Sequence, residues 1–154
     1  MTTLHFDKTT TATPEQLLAA LTDFGPGRSD VFQNSSDDYL KVHERGVDYA
    51  DVTEGSSGTW ERLRYDWSDP RRVIMTTTDS NAWGGRSGHT YTFTPLPDGK
   101  TRVDATVVRD GKNFKGRFFA VVFWLFGRKV LGGAFEKTIE AIESRTNRQS
   151  TGTA

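Results

Sequence analysis

Residues 114–144, FKGRFFAVVFWLFGRKVLGGAFEKTIEAIES, decide the fold. The stretch has no proline and is long enough for a helix of about thirty residues, roughly 45 Å at 1.5 Å per residue. At about 100° per residue, Trp124, Leu131, Ala134, Phe135, Thr138 and Ile142 fall within one arc, with Ala120, Gly127 and Ile139 close by. That arc is the predicted buried face. In the second half the opposite side is polar (Lys129, Glu136, Lys137, Glu140, Glu143), as a helix with one side in water requires. The first half differs: Phe118, Phe119, Val122, Leu125 and Phe126 project from the side that should be solvated. Such a helix needs a large surface to lie on, and the rest of the chain has to supply it.

Upstream, residues 3–11 alternate and are rich in threonine, which predicts a first strand. Thr13-Pro14-Glu15-Gln16 then reads as a helix start, with threonine as N-cap, proline at the first helical position and glutamine three residues after the cap. That helix ends by Asp23-Phe24, because Gly25-Pro26-Gly27 cannot continue it, and 28–32 form only another turn or two. From Tyr39 to Arg109 the period changes to two, giving strands at 39–45, 49–54, 59–67, 73–80, 88–95 and 101–109. The breaks between them are short, and Pro97-Asp98-Gly99 is a strong hairpin signal, so these strands form an antiparallel meander. The long helix is the only element able to cover one face of that sheet.

The 154 residues fit one domain, expected over 1–145, with a flexible tail over 146–154. Twenty basic residues balance twenty acidic ones, so charge gives no reason to expect a nucleic-acid partner. There is no cysteine, hence no disulfide, thiolate nucleophile or cysteine metal site. The N-terminus lacks a basic region followed by an apolar run, and the longest apolar run, 118–126, falls short of the ~20 residues that cross a bilayer. A soluble, cytoplasmic protein is expected. No HExxH pair, clustered metal ligands, GxSxG elbow or phosphate-cradling glycine loop is present, and neither cofactor nor metal is expected.

The pieces TATPEQLLAALTD after the first strand, YADVTEGS followed by TWERLRYDWS, and KGRFFAVVFWLFGRKVLGGAFEKTIEAIE resemble the SRPBCC superfamily, which includes START domains and polyketide cyclase/dehydrase-like proteins. The resemblance covers nearly the whole chain. It implies an α+β helix-grip fold: a curved seven-stranded antiparallel sheet wrapped around a long C-terminal helix, two short helices after strand 1, and a largely apolar cavity between sheet and helix. Because that fold hosts carriers, cyclases and regulators alike, it does not by itself fix a function.

Candidate cavity residues are Trp124, Leu131 and Phe135 from the long helix, Phe24 and Phe32 from the short helices, and His89, Tyr91 and Phe93 from one face of a strand. Core filling is the plain alternative for each aromatic. Strand 59–67 presents Trp60, Arg62, Arg64 and Asp66 on one side and Glu61, Leu63, Tyr65 and Trp67 on the other. If the arginines face inward, Arg62 and Arg64 need partners such as Glu54 or Asp79 and can grip a ligand oxygen. If outward, they are solvated charges. His89 is the candidate for moving a proton, against the plainer reading of a hydrogen-bonded strand-end histidine. The glycine-rich loop 81–88 reads as a mobile flap with Trp83 as plug.

The leading reading is a binding protein for a hydrophobic small molecule such as a lipid, polyketide or aromatic metabolite. The alternatives are a metal-free polyketide cyclase/dehydrase-type enzyme acting in the same cavity and a protein-interaction module. The apolar group Phe118, Phe119, Val122, Leu125 and Phe126, flanked by Lys112, Lys115, Arg117, Arg128 and Lys129, suits a homodimer contact, ranked first, or transient contact with an anionic membrane. A covering loop is a third way to hide it.

Overall fold

Alternating side chains and short turns lay the chain down as one antiparallel sheet. The computed structural model describes residues 1–32 and 35–152. Its strands are β1 (Thr2–Thr10), β2 (Lys41–Arg45), β3 (Tyr49–Gly55), β4 (Trp60–Asp66), β5 (Arg72–Ser80), β6 (Gly88–Pro95) and β7 (Thr101–Arg109). They are ordered β1-β7-β6-β5-β4-β3-β2, so the meander from β2 to β7 is closed by the first strand on the last. Every neighbouring pair is antiparallel. Between β1 and β2 come helices α1 (Pro14–Leu21) and α2 (Arg28–Val31) and a 3-10 turn at Asp37–Tyr39. The expected capping box holds: Thr13 N–H donates to Gln16 Oε1 (2.8 Å) and Gln16 N–H to Thr13 Oγ1 (3.2 Å). The helix-grip architecture is completed by α3 (Phe114–Thr151).

One face of the sheet carries the apolar alternation and packs against the helices. Ala50 and Val52 of β3, Leu63 and Tyr65 of β4, Val73 and Met75 of β5, and Val103 and Ala105 of β7 are buried. Leu17 and Leu21 of α1 and Ile139 and Ile142 of α3 close over them. Burying each such aliphatic side chain stabilises the fold by about 1.5–3 kcal/mol, which the polar outer face cannot match.

The long helix departs from expectation in two ways. It runs on to Thr151, so 146–151, expected as a tail, is helical; the hydroxyls of Ser150 and Thr151 donate to the carbonyl of Asn147. Thr153 and Ala154 lie outside the described residues. Second, the buried side is not a straight stripe. Gly116, Gly127, Phe135, Thr138, Ile139 and Ile142 are buried, and Phe119, Phe123, Leu131 and Ala134 half-buried, whereas Trp124 is 71% exposed. The helix first crosses the loop after β5 and then runs along β1, where a Cβ on Gly127 would meet Leu4 and one on Gly132 would meet Phe6, while Phe135, Ile139 and Ile142 reach into the core. The line of contact therefore winds around the axis. A fixed 100° wheel drawn through Phe135 and Ile142 misses Phe123 and selects Trp124, one residue and about 100° away.

The start of α3 is locked to the loop 81–87. Gly116 N–H donates to the N-cap Asn113 Oδ1 (2.8 Å), and Lys112 N–H donates to the Ala82 carbonyl (3.0 Å). A Cβ on Gly116 would lie 1.9 Å from the Ala82 carbonyl oxygen, so only glycine allows this approach. Gly116→Val is expected to lower stability by about 1–3 kcal/mol through overpacking, read from the urea midpoint. An unchanged midpoint would mean that α3 does not dock there.

Candidate functional site

Between α3 and the inward face of the sheet lies a cavity of about 580 Å³, a size that suits a small organic ligand. Most of its wall is apolar: Phe6 from β1, Met75 from β5, Ala105 and Val107 from β7, and Phe123 and Leu131 from α3. Trp83 closes one side. It is buried, with ring centroids 6.5 Å from Phe119 and 6.4 Å from Phe123. Its loop, expected as a mobile flap, is tied down: Gly84 N–H donates to the Asp110 carbonyl, Asp110 N–H to Ser87 Oγ, and Asn113 Nδ2 to the Asn81 carbonyl. The loop is a fixed wall.

Two buried polar networks interrupt the apolar surface. In the first, Arg109 at the end of β7 donates from Nη1 to Glu61 Oε1 (2.8 Å) and from Nη2 to Glu61 Oε2 (3.2 Å), while Thr77 Oγ1 donates to Glu61 Oε1 (3.1 Å). His89 Nε2 sits 2.9 Å from Arg109 Nη2. A guanidinium can only donate, so in this contact the ring nitrogen accepts and the ring proton sits on Nδ1; the same Nε2 lies 3.8 Å from Glu61 Oε2. The Arg109 guanidinium also lies 5.1 Å from the Trp83 ring centre. Burial pushes the Glu61 carboxyl up, but the Arg109 charge together with the His89 and Thr77 contacts outweighs it and holds the group down at about 2.

The second network joins α2 to the sheet. Arg28 is buried, its guanidinium 4.6 Å from the ring centres of both Phe24 and Phe32. It donates from Nε to Glu54 Oε2 (2.9 Å), from Nη2 to Tyr65 Oη (2.9 Å) and from Nη1 to the Asp23 carbonyl (2.6 Å). Tyr65 Oη in turn donates to Glu54 Oε1. Burial and the Glu54 charge push the Tyr65 phenol well above its usual range. Within reach of both networks stands Tyr91, whose hydroxyl has no hydrogen-bond partner among the described residues and lines the cavity. Burial, then the Glu54 charge, pushes its phenol up to about 12, so it is a proton donor at neutral pH.

Of the residues read from sequence, Phe32, His89, Tyr91, Leu131 and Phe135 come together on the cavity wall. Phe24 and Phe93 do not: both are buried in the core beside it, Phe24 edge-on to Tyr65 at 5.0 Å. Trp124 points to solvent. Arg62 and Arg64 face outward and cannot touch a ligand in the cavity. Arg62 pairs with Asp51 through Nε (2.9 Å) and Nη2 (2.7 Å), not with Glu54 or Asp79, and Arg64 lies 4.6 Å from the Tyr49 ring centre. The apolar set Leu63, Tyr65 and Trp67 wins the inner face, and Glu61 goes inward with it.

Sequence reading missed Arg28, Glu61, Arg109 and Phe123. For Arg109 the signal is present, since it continues the alternation Val103, Ala105, Val107; for Arg28, just after Gly25-Pro26-Gly27 in a segment without periodicity, there is none.

The model of the family described as polyketide cyclase/dehydrase and lipid transport matches residues 1–146. No curated protein matches the chain. Among solved structures, the Zhui aromatase/cyclase from Streptomyces sp. R1128 superposes with a TM-score of 0.74 at 13% identity, over 97% of this chain and 95% of that one. A protein from Thermus thermophilus gives 0.73 at 17% identity, over 97% and 99%. A START superfamily protein from Mycobacterium smegmatis gives 0.67 at 11% identity, over 96% and 98%. At these identities the structures speak for the fold, and the match over nearly the whole length speaks for descent: the chain belongs to the polyketide cyclase/dehydrase and lipid transport family and carries its hydrophobic ligand-binding cavity.

Proposed function

We propose that the protein is a cytoplasmic carrier or receptor that encloses one apolar, oxygen-bearing small molecule, such as a lipid, a polyketide or another aromatic metabolite. The observation that carries this reading is the unpartnered Tyr91 hydroxyl in an otherwise largely apolar cavity of about 580 Å³. Apolar burial supplies the affinity, and Tyr91 donates to a carbonyl or hydroxyl oxygen of the ligand. Binding is favoured over the cyclase/dehydrase alternative by the state of the ionisable groups. Glu61 is engaged by Arg109 and Thr77, Glu54 by Arg28 and Tyr65, and His89 Nε2 by Arg109, which leaves no unengaged base facing the cavity among the described residues beside the Tyr91 hydroxyl. We further propose that the outward side of the first half of α3 is a contact surface, for a second copy of the chain or for a lipid surface.

Native mass spectrometry of the purified protein, followed by extraction under denaturing conditions, tests the first proposal. A near-stoichiometric apolar compound is the expected result; an empty protein that also fails to take up fluorescent fatty acids or polycyclic phenols would refute it. Tyr91→Phe is expected to weaken uptake about three- to tenfold, the worth of one hydrogen bond, and Ala134→Trp to weaken it further by intruding into the cavity.

The Glu61–Arg109 pair predicts a pH dependence. A carboxyl held near 2 in the folded state and near its ordinary value when unfolded adds stability above about pH 4.5, and that contribution is lost as the pH falls through 2. Between about pH 5 and about pH 2, wild type is expected to lose up to about 3 kcal/mol more than the Glu61→Gln, Arg109→Met double variant. Parallel curves from chemical denaturation would show that the pair contributes nothing.

A further inference from the structure

We infer that the outward side of residues 114–130 docks the protein onto an anionic lipid surface, which rests on the reading of that side as a contact surface and commits it to one occupant. Exposure comes first. Phe114, Phe118, Val121, Trp124, Leu125, Phe126 and Val130 are each more than half exposed. One 18-residue stretch of α3 is apolar and long enough to cross a membrane, yet only 11% of it is buried. Large phenylalanine and tryptophan side chains left in water at this density need a partner.

Charge selects among partners. From Gly111 to Phe135 the sequence has five basic residues and no acidic one, which leaves fifteen basic against twenty acidic residues in the rest of the chain. A formally neutral protein thus turns one cationic side outward. Arg117, Arg128 and Lys129 make no ion pair among the described residues. A symmetric dimer would lay this ridge on its own copy, cation against cation with no carboxylate to pair, which disfavours a second copy of the chain. Anionic headgroups complement it.

Shape points the same way. The exposed apolar side chains spread over roughly 240° of the helix circumference at 100° per residue, wider than one flat protein face covers but natural for a helix sunk into a fluid interface. The helix lies in that interface and does not cross it: Arg128 and Lys129 interrupt the apolar run, and Phe135, Ile139 and Ile142 further along the same helix are packed into the core. On the inner side of the docked turns, Phe119 and Phe123 face Trp83, and Phe123 and Trp83 are cavity wall. Docking brings the cavity wall to the lipids.

Vesicle flotation tests this, with phosphatidylcholine vesicles compared with vesicles that also contain phosphatidylglycerol, at low and high salt. Trp124, the exposed tryptophan on the ridge, reports entry by a blue shift that Trp124→Phe removes. Binding is expected to the anionic vesicles only, to fall with salt, and to drop roughly a hundredfold in Arg117→Gln, Arg128→Gln, Lys129→Gln, about fivefold per cation. Phe118→Ser with Leu125→Ser should abolish the blue shift while the thermal melt stays that of wild type. Absence of binding to either vesicle, or binding indifferent to lipid charge and to the triple variant, overturns the inference; so does a dimer by sedimentation equilibrium that Phe118→Ser with Leu125→Ser dissolves. Ala134→Trp, which intrudes into the cavity and leaves the ridge untouched, should float like wild type, so docking and ligand uptake fail separately.

Discussion

The cavity is held open by buried charges that cancel one another. An unpaired carboxylate or guanidinium on the inner face of the sheet would cost several kcal/mol, enough to favour collapse or solvent entry. Glu61 with Arg109, and Glu54 with Arg28 and Tyr65, remove that cost in pairs, and no fully buried side-chain polar atom among the described residues is left without a partner. The fork of each guanidinium also fixes geometry. Arg109 ties the end of β7 to β4 and holds His89 of β6, while Arg28 ties α2 to β3 and β4. Removing either arginine would strand a carboxylate, which is worse for the fold than never having had the pair.

Around those networks α3 does two jobs with two halves. The second half is conventional: Phe135, Thr138, Ile139 and Ile142 are buried, and Thr138 Oγ1 donates to the Val31 carbonyl (3.0 Å), fixing the distance to α2. Thr10 Oγ1 donates to Glu143 Oε1, and Arg145 pairs with Asp23, so the far end is held to both β1 and the end of α1. Among the described residues the first half touches the protein mainly through Gly116, Gly127, the half-buried Phe119, Phe123 and Leu131, and Lys115 Nζ, which donates to the Gly58 carbonyl. Its stability as a helix comes from continuity with the anchored half and from the N-cap Asn113, since a long helix costs little to extend once nucleated.

How much of this was legible in the sequence follows from which signals are periodic. Strand pairing and the capped start of α1 could be read because alternation and a capping box are local patterns. His89 and Tyr91 could be placed on the cavity wall because they share a strand face with Phe93. What failed was whatever depends on a third body. A helical wheel puts Trp124 on the buried side because it assumes a straight contact line, and the contact line of α3, which passes through Phe123 and Leu131, is not straight. The arginines of β4 were ambiguous because alternation separates two faces without saying which is inner. The partners Asp51 for Arg62 and Tyr49 for Arg64, one strand away, appear only once β3 and β4 are in register. Arg28 was invisible because it stands in a non-periodic segment and acquires its role from Phe24, Phe32, Glu54 and Tyr65, which the fold brings together from separate parts of the chain.

The same reasoning explains why the apolar half of α3 survives in a protein of zero formal charge. Elsewhere the chain places apolar residues inward with period two, and the most exposed large apolar side chains, other than Met1 and the turn residue Val47, are concentrated on this helix. If Phe118, Leu125 and Phe126 were mere tolerance of surface hydrophobicity, there would be no reason for acidic residues to be missing from 111–135 when they make up an eighth of the chain. Exclusion of one sign of charge together with retention of large apolar groups is what a helix at an anionic interface requires, because each carboxylate there would be repelled by the headgroups and each apolar side chain gains by leaving water. On the proposed docking, the cavity wall and the exposed ridge are two sides of the same helical turns, and a ligand drawn from the lipid phase would have only the thickness of that helix to pass.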